Sequence, residues 1–293
     1  MDFCTLCPRR CEVDRAKKSG FCGAGEKIKI ARCALHLWEE PCISGKNGSG
    51  TVFFSHCTMK CVFCQNYKIS HLGIGKTITE KELANCFLKL ENDGAHNINL
   101  ITPTQYVPQI IKALNIAKKG GLNIPVIYNS GGYENPETLN MLDGLIDVYL
   151  PDLKYFDDKY ALRYSGAKDY FKTASRAISK MYEQVGKCVF DSDGMIKKGV
   201  IVRHLLLPNL IFDSKKIIDY LFSTYGDNIY ISIMNQYTPI SGILEDFPEI
   251  NKKISERYYD SLIDYAINLG VKNAYIQEGD TAKESFIPEF YGE

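Results

Sequence analysis

Cys57-Thr58-Met59-Lys60-Cys61-Val62-Phe63-Cys64-Gln65-Asn66 sets three thiols at C-x3-C-x2-C spacing, directly after the apolar run Thr51-Val52-Phe53-Phe54-Ser55. A strand that ends in a tight loop of thiolates suits soft-metal chemistry. The count says more than the spacing. A closed structural zinc site takes four protein ligands, and an ordinary iron–sulfur cluster is held by four cysteines. Three thiols on a four-iron cluster leave one iron with a position for a ligand that is not protein. A catalytic site needs such a position.

Downstream, short β-rich runs alternate with helical periods. Strands are expected at 51–55, 97–101, 125–129, 146–150, 200–207, 229–233 and 274–277. One helix is expected to start at the cap Thr79, with Glu82 three residues on and Leu83, Phe87 and Leu90 as its apolar face. Others are expected over 107–118, 169–186, after Asp213, and over 250–269. The β-runs are mostly continuous in hydrophobicity, as strands covered on both faces are. Repeated βα units of this kind form a parallel sheet, closed or partly closed as a barrel, whose chemistry sits on loops at the C-terminal strand ends. The three-cysteine loop follows the first strand and so lands on that face. The same geometry nominates Thr102-Pro103-Thr104, Asn129-Ser130-Gly131-Gly132, Asp152-Leu153-Lys154, Arg203-His204 and Gln236-Tyr237. The two glycines at 131–132 would admit a ligand close to the backbone. Gly73-Ile74-Gly75-Lys76-Thr77 has the look of a phosphate loop but no strand before it, and is read as a turn.

Upstream, Cys4, Cys7, Cys11 and Cys22 form a second set of thiols. Short loops between paired ligands cost little closure entropy, so these four suit a single metal site, with zinc and a second iron–sulfur cluster both fitting. Residues 1–50 are therefore expected to be a separate cysteine-rich segment, and 51–293 the barrel. Residues 34–45 read as an ordered loop, and Cys33 just before it, with His36 and Cys42 within it, are candidates for further ligands.

The 293 residues carry 35 Lys+Arg against 35 Asp+Glu, so no overall basic field draws the chain to nucleic acid or an anionic membrane. No apolar run has the length of a membrane span, and Met1-Asp2-Phe3-Cys4 lacks the regions of a signal peptide. A cytoplasmic protein is expected. There, eleven cysteines point to metal or catalysis rather than a disulfide framework.

The Cys57/Cys61/Cys64 motif, with Phe63 before its last cysteine and Gln65-Asn66 after, resembles the radical SAM signature. Asp152-Leu153-Lys154 and the Arg203 to Pro208 strand resemble the branch containing pyruvate formate-lyase-activating enzymes. The N-terminal cysteines, Trp38-Glu39-Glu40-Pro41-Cys42 and Gly48-Ser49-Gly50 resemble an uncharacterised subgroup similar to those activases. The resemblance covers nearly the whole chain. It implies an α/β fold, a partial (β/α)6-type TIM barrel with an N-terminal cysteine-rich segment, and a 4Fe-4S cluster on Cys57, Cys61 and Cys64. S-adenosylmethionine (SAM) would chelate the open iron, and one-electron reduction would yield a 5′-deoxyadenosyl radical that abstracts hydrogen. Phe63 would lie against the adenine, and Asn129, Ser130 and Gly131 would reach the ribose or methionine part. Lys154 and Arg203 would meet the carboxylate, and Gln236 and Tyr237 would close the adenosyl side. The Gly-Gly-Glu stretch usual in the family is here Thr102-Pro103-Thr104, so Thr102 and Thr104 offer the SAM amino group oxygens without a negative charge. The implied partners are a one-electron reductant such as flavodoxin or ferredoxin, and a substrate that is the glycine of a glycyl-radical enzyme, another protein or peptide, or a small metabolite. The rival class is a non-catalytic zinc or iron–sulfur binding module that carries electrons or contacts nucleic acid. Balanced charge and three ligands rather than four weigh against it.

Overall fold

The computed structural model describes residues 3–240, 242–277 and 290–291. In chain order the elements that shape the fold are β1 (Ile28–His36), α1 (Pro41–Ser44), β2 (Ser49–Phe54), α2 (Tyr67–Ser70), β3 (Lys76–Ile78) and α3 (Glu80–Asn92). Then come β4 (Ile98–Ile101), α4 (Val107–Lys119), β5 (Val126–Ser130), α5 (Pro136–Asn140), β6 (Val148–Pro151), α6 (Asp158–Ser165) and α7 (Tyr170–Val185). β7 (Val189–Phe190), β8 (Ile196–Leu205), α8 (Ile211–Tyr225), β9 (Tyr230–Met234), α9 (Glu256–Leu269) and β10 (Ala274–Ile276) follow. The sheet runs β10-β9-β8-β6-β5-β4-β2-β1-β3, with β7 pairing β8. From β2 to β10 every pair on this path is parallel. The result is six βα units and a final strand, the α/β architecture expected of a partial barrel.

Local chemistry accounts for the elements. α3 begins with a full capping box, in which the Glu82 amide donates to Thr79 Oγ1 at 3.2 Å and the Thr79 amide to Glu82 Oε2 at 2.7 Å. Its Leu83, Phe87 and Leu90 are buried, as their spacing requires. β2 and β4 are buried along their whole lengths, in keeping with cover on both faces. One set of side chains, such as Val126, Tyr128 and Tyr149, packs beneath the helices. The alternate set, Ile127, Val148, Leu150 and Ile201, packs against Cys42 and Ile43 of α1 on the opposite face.

The sheet does not break at residue 50. β1 pairs antiparallel with β2 and β3, and α1 covers the sheet's inner face, its Ile43 carbonyl accepting 2.7 Å from Asn97 Nδ2. The cysteine-rich part proper thus lies before Ile28. Gly73–Gly75 is the expected turn, although Lys76 and Thr77 continue into β3. Among the described residues no helix is long and apolar enough to cross a membrane.

Candidate active site

β2 delivers the loop of residues 55–66, and three other parts of the chain fix its backbone. Gln105 Nε2 lies 3.0 Å from Ser55 O and 3.1 Å from His56 O, the Val62 amide donates 2.9 Å to Tyr164 O, and Arg9 Nε donates 3.1 Å to Thr58 O. The three thiols of this loop line one cavity. Each has a donor near its sulfur. The Met59 amide lies 3.3 Å from Cys57 Sγ, Ser165 Oγ donates 3.0 Å to Cys61 Sγ, and the Ser70 hydroxyl, which pairs with His71 Nδ1 at 2.8 Å, is near enough to Cys64 to ease its thiol downward. Burial, with Cys64 and Cys61 adding to it, pushes the Cys57 thiol up to about 12. Burial and Cys61 also raise Cys64. Three thiolates packed this way would require positive charge among them, of the kind a metal or an iron–sulfur cluster core carries.

The cavity holds about 590 Å³. Its wall is made of parallel strand ends: Thr102 after β4, Asn129, Ser130 and Gly131 at β5, Asp152 and Lys154 after β6, Arg203 on β8, and Gln236 after β9. The chain from His36 to Pro41 closes another side. Lys154 Nζ stands 2.7 Å from Asp152 Oδ2. Burial alone would lower the Lys154 ammonium, but Asp152, then Cys61, hold it well above its ordinary value and so charged. Arg203 Nε donates 2.8 Å to Glu40 Oε1, and its terminal nitrogen also bonds Glu39 and Glu40. Phe63 is buried beside the thiols and lines the cavity.

Three expectations need correction. Thr104 does not line the cavity: its hydroxyl turns away and donates 2.7 Å to Glu134 Oε1 in a buried polar cluster. Tyr237 backs Phe63 at a ring distance of 6.1 Å and spends its hydroxyl on Ile250 O at 2.6 Å, again outside the lining. The tight backbone at Gly132 serves the protein rather than a ligand. Its φ is +75°, and a Cβ there would fall 2.1 Å from Asp152 O. Tyr170 ties the same two loops, its hydroxyl donating toward Gly131 O at 3.0 Å and Asp152 O at 3.1 Å and accepting the Lys154 amide at 2.9 Å. Of the candidates for further ligands, only His36 lines the cavity. Cys33 faces Cys86 of α3, and Cys42 lies near Tyr275 and Cys188.

Sequence reasoning missed the partners. Glu39 and Glu40, which grip Arg203, stood in view as two consecutive acids in an otherwise apolar context. Ser165 and Tyr170 had no local signal.

The N-terminal thiols sit on the flank of the Cys57–Cys64 loop and do not line the cavity. Cys4 pairs with the return chain, its amide donating 3.0 Å to Val13 O, and the Phe21 amide reaches Cys11 Sγ at 3.3 Å. Burial pushes Cys7 up to about 12, and Cys22 and Cys11 add to it. Asn135 and Thr138 tie this segment down through Thr5 O at 2.7 Å and Leu6 O at 2.8 Å. Among the described residues, no three His, Cys, Asp or Glu side chains converge on a point that would hold a single metal ion. A cubane cluster sets its ligands on separate irons and does not require that convergence.

Residues 51–198 match the family model described as the radical SAM superfamily. An uncharacterised protein of Methanocaldococcus jannaschii is 33% identical over 273 residues, covering 90% of this chain and 74% of that protein. Among solved structures, Streptococcus suis SuiB bound to S-adenosylmethionine is similar with a TM-score of 0.52 and 17% identity, over 76% of this chain and 48% of that one. SuiB bound to its precursor peptide SuiA gives 0.52 and 16%, over 77% and 47%. At this identity the likeness is one of fold, and the chain spans about half the length of SuiB.

Proposed function

Because the chain belongs to the radical SAM superfamily, whose members use a 4Fe-4S cluster and S-adenosylmethionine, we propose that Cys57, Cys61 and Cys64 hold that cluster and that the adjoining cavity takes SAM. The observation that carries this reading is that, among the described residues, these three are the only cysteines lining the cavity. Cluster and SAM together supply one-electron cleavage of the sulfonium and abstraction of a hydrogen atom from substrate.

The chain's own residues bind, orient and shield. Phe63 offers an apolar face for the adenine beside the thiols, while Asn129, Ser130, Gly131 and Gln236 offer polar edges for the ribose and the methionine part. The Lys154 ammonium is placed for the carboxylate, with Asp152 fixing it. Arg203 is committed to Glu39 and Glu40, so its part is to hold the wall rather than to meet the carboxylate. Thr102 is left to face the amino group, and its φ of +59° turns the backbone at that strand end.

For substrate we favour a polypeptide, the glycine of a glycyl-radical enzyme being the case the sequence resemblance names. Leu37, Trp38 and Ile276 on the cavity wall are exposed apolar side chains of the kind a chain segment packs on, and SuiB was crystallised with a precursor peptide. The N-terminal cysteines are assigned a second metal, supported by their mutual electrostatic reach; an iron–sulfur cluster fits the thiols as they stand, whereas zinc would require them to draw together on one ion. Free thiols throughout the described residues suit a reducing cytoplasm.

The test is anaerobic reconstitution with iron and sulfide, then SAM and dithionite. 5′-Deoxyadenosine should form, and Cys61→Ala should abolish it; an undiminished yield in that variant sinks the reading. Metal analysis of a Cys57/Cys61/Cys64→Ala protein reads the second site. About four irons remaining means a cubane and one zinc means a structural site.

A further inference from the structure

A second cavity, of about 330 Å³, has a lining that shares no residue with the first. Arg15, Gly25, Glu26 and Lys27 of the N-terminal segment, Lys29 of β1 and His56 form its walls. Its place in the chain is informative. His56 immediately precedes Cys57, and a Cβ on Gly23, the neighbour of Cys22, would stand 3.0 Å from His56 Nδ1. The hollow thus has His56, the residue before Cys57, in its wall, and His56 in turn stands against Gly23, the residue after Cys22.

Its charge is one-sided in a chain whose total is balanced: Arg15, Lys27 and Lys29 face a single Glu26. Lys60 adds a further cation, its Nζ 3.8 Å from the same Cβ position on Gly23. Arg15 is fixed by backbone carbonyls, donating 3.3 Å to Ala24 O and bonding also Gly25 O and Gln105 O. Among the described residues Lys27, Lys29 and Lys60 have no carboxylate partner. Deeper in, the hydroxyl of the fully buried Tyr106 and Nδ1 of His56 are without a hydrogen-bond partner of normal geometry. Cations in excess over the single Glu26, above unpartnered polar atoms, form a receptor for an anionic group.

We propose that this hollow is the docking point of an acidic one-electron carrier protein, which seats a surface carboxylate among Arg15, Lys27 and Lys29. The inference rests on the reading that Cys57, Cys61 and Cys64 hold the cluster. The transfer is a single electron from carrier to cluster: the carrier is oxidised by one electron, the cluster is reduced by one, and no bond forms or breaks in the hollow. The first cavity is taken by SAM and substrate during turnover, so a protein docking there would compete with both. This flank leaves them undisturbed, reaches the Cys57 end of the loop within one residue, and borders the segment that carries the N-terminal cysteines. Unneutralised lysines speed the encounter with an acidic surface and make it sensitive to salt.

The experiment uses the reconstituted protein with dithionite and, separately, with a reduced acidic flavodoxin. Cluster reduction is followed by electron paramagnetic resonance and stopped flow. Lys27→Glu/Lys29→Glu should leave reduction by dithionite unchanged and slow reduction by flavodoxin about 10-fold or more at low ionic strength. The wild-type flavodoxin rate should fall as salt rises, and the variant's should respond much less. Equal flavodoxin rates in variant and wild type overturn the proposal, as does a wild-type rate indifferent to salt. So does calorimetry in which inorganic phosphate binds the hollow while the carrier's affinity is the same in both proteins. Lys27→Glu alone, at an exposed position, repeats the test should the double change disturb β1. Absence of 5′-deoxyadenosine with dithionite in the wild type would instead count against the functional reading, while calorimetry with flavodoxin still reports on docking.

Discussion

Arg203 Nε stands 2.8 Å from Glu40 Oε1, so the end of β8 is locked to a residue 163 positions earlier in the chain. The Arg203 side chain is 13% exposed and the Glu40 side chain 6%. Burial alone would raise the Glu40 carboxyl, but the Arg203 guanidinium outweighs it and keeps the group below the usual glutamate range. Arg203→Met would leave two carboxylates without their cation, a loss of ~3–5 kcal/mol by analogy with broken buried pairs. Urea unfolding measures it, and Trp38, the single tryptophan and the neighbour of Glu39, reports the disturbance by fluorescence. The sign with pH follows from the lowered pKa. This stabilisation is complete above the ordinary glutamate value near 4.5 and is lost as pH falls through the lower folded value. A wild type no more stable than Arg203→Met at neutral pH would refute this role.

Ser165 donates 3.0 Å to Cys61 Sγ and is itself 2.7 Å from the Tyr155 hydroxyl. A donor to a ligand sulfur stabilises the reduced, more negative cluster and so raises its potential. Ser165→Ala should lower the midpoint of the proposed cluster by about 40 mV, the equivalent of one hydrogen bond of ~1 kcal/mol. A redox titration followed by electron paramagnetic resonance reads it, and an unmoved midpoint would show that the serine is only a packing residue.

The local text carried the elements well. The runs at 97–101, 125–129, 146–150, 200–207, 229–233 and 274–277 each overlap a strand, although β8 begins earlier, at Ile196, and the Thr79 box starts α3. The thiol loop lies at a strand end, as the βα order requires. What escaped was long-range. β1 alternates only loosely, and a string of cysteines and charges masks it. α1 is four residues long and takes its place from packing on Ile127 and Val148, which no local period encodes. The direction of Thr104 depends on Glu134, thirty positions later, and the engagement of Arg203 depends on Glu40. Side-chain roles inside a cavity are pairings, and one chain read in order does not show who pairs with whom.

Arg9 holds the N-terminal segment to the thiol loop. Besides Thr58 O it reaches Ser165 O at 2.8 Å, and its guanidinium lies 3.8 Å from the centre of the Phe21 ring. Arg9→Gln should loosen the segment without unfolding the barrel. Loss of ~2 kcal/mol of charge-assisted hydrogen bonding implies hydrogen exchange about 30-fold faster across residues 3–22. Exchange read by mass spectrometry checks it. Unchanged protection there would mean that Asn135 and Thr138 alone suffice.

Glu134 is 1% exposed, with its carboxylate accepting from Thr104 at 2.7 Å and Tyr128 at 3.2 Å. Burial pushes its carboxyl up to about 7, against the pull of hydrogen bonds from Thr104, Ser130 and Tyr128. The folded chain therefore binds this proton more tightly than the unfolded one, so the contribution to stability is full below the ordinary value near 4.5 and disappears as pH rises through about 7. At ~1.4 kcal/mol per pH unit, that interval is worth at most ~3.5 kcal/mol. Glu134→Gln keeps a group that accepts from Thr104 but removes the titration. Urea midpoints from pH 5 to 8 should thus fall more steeply for the wild type than for the variant, the difference growing up to neutrality and then levelling. A difference constant across that range would mean that Glu134 is ionised throughout. Its cluster with Thr104 would then be a charged support beneath the strand end at Thr102 rather than a proton-holding one.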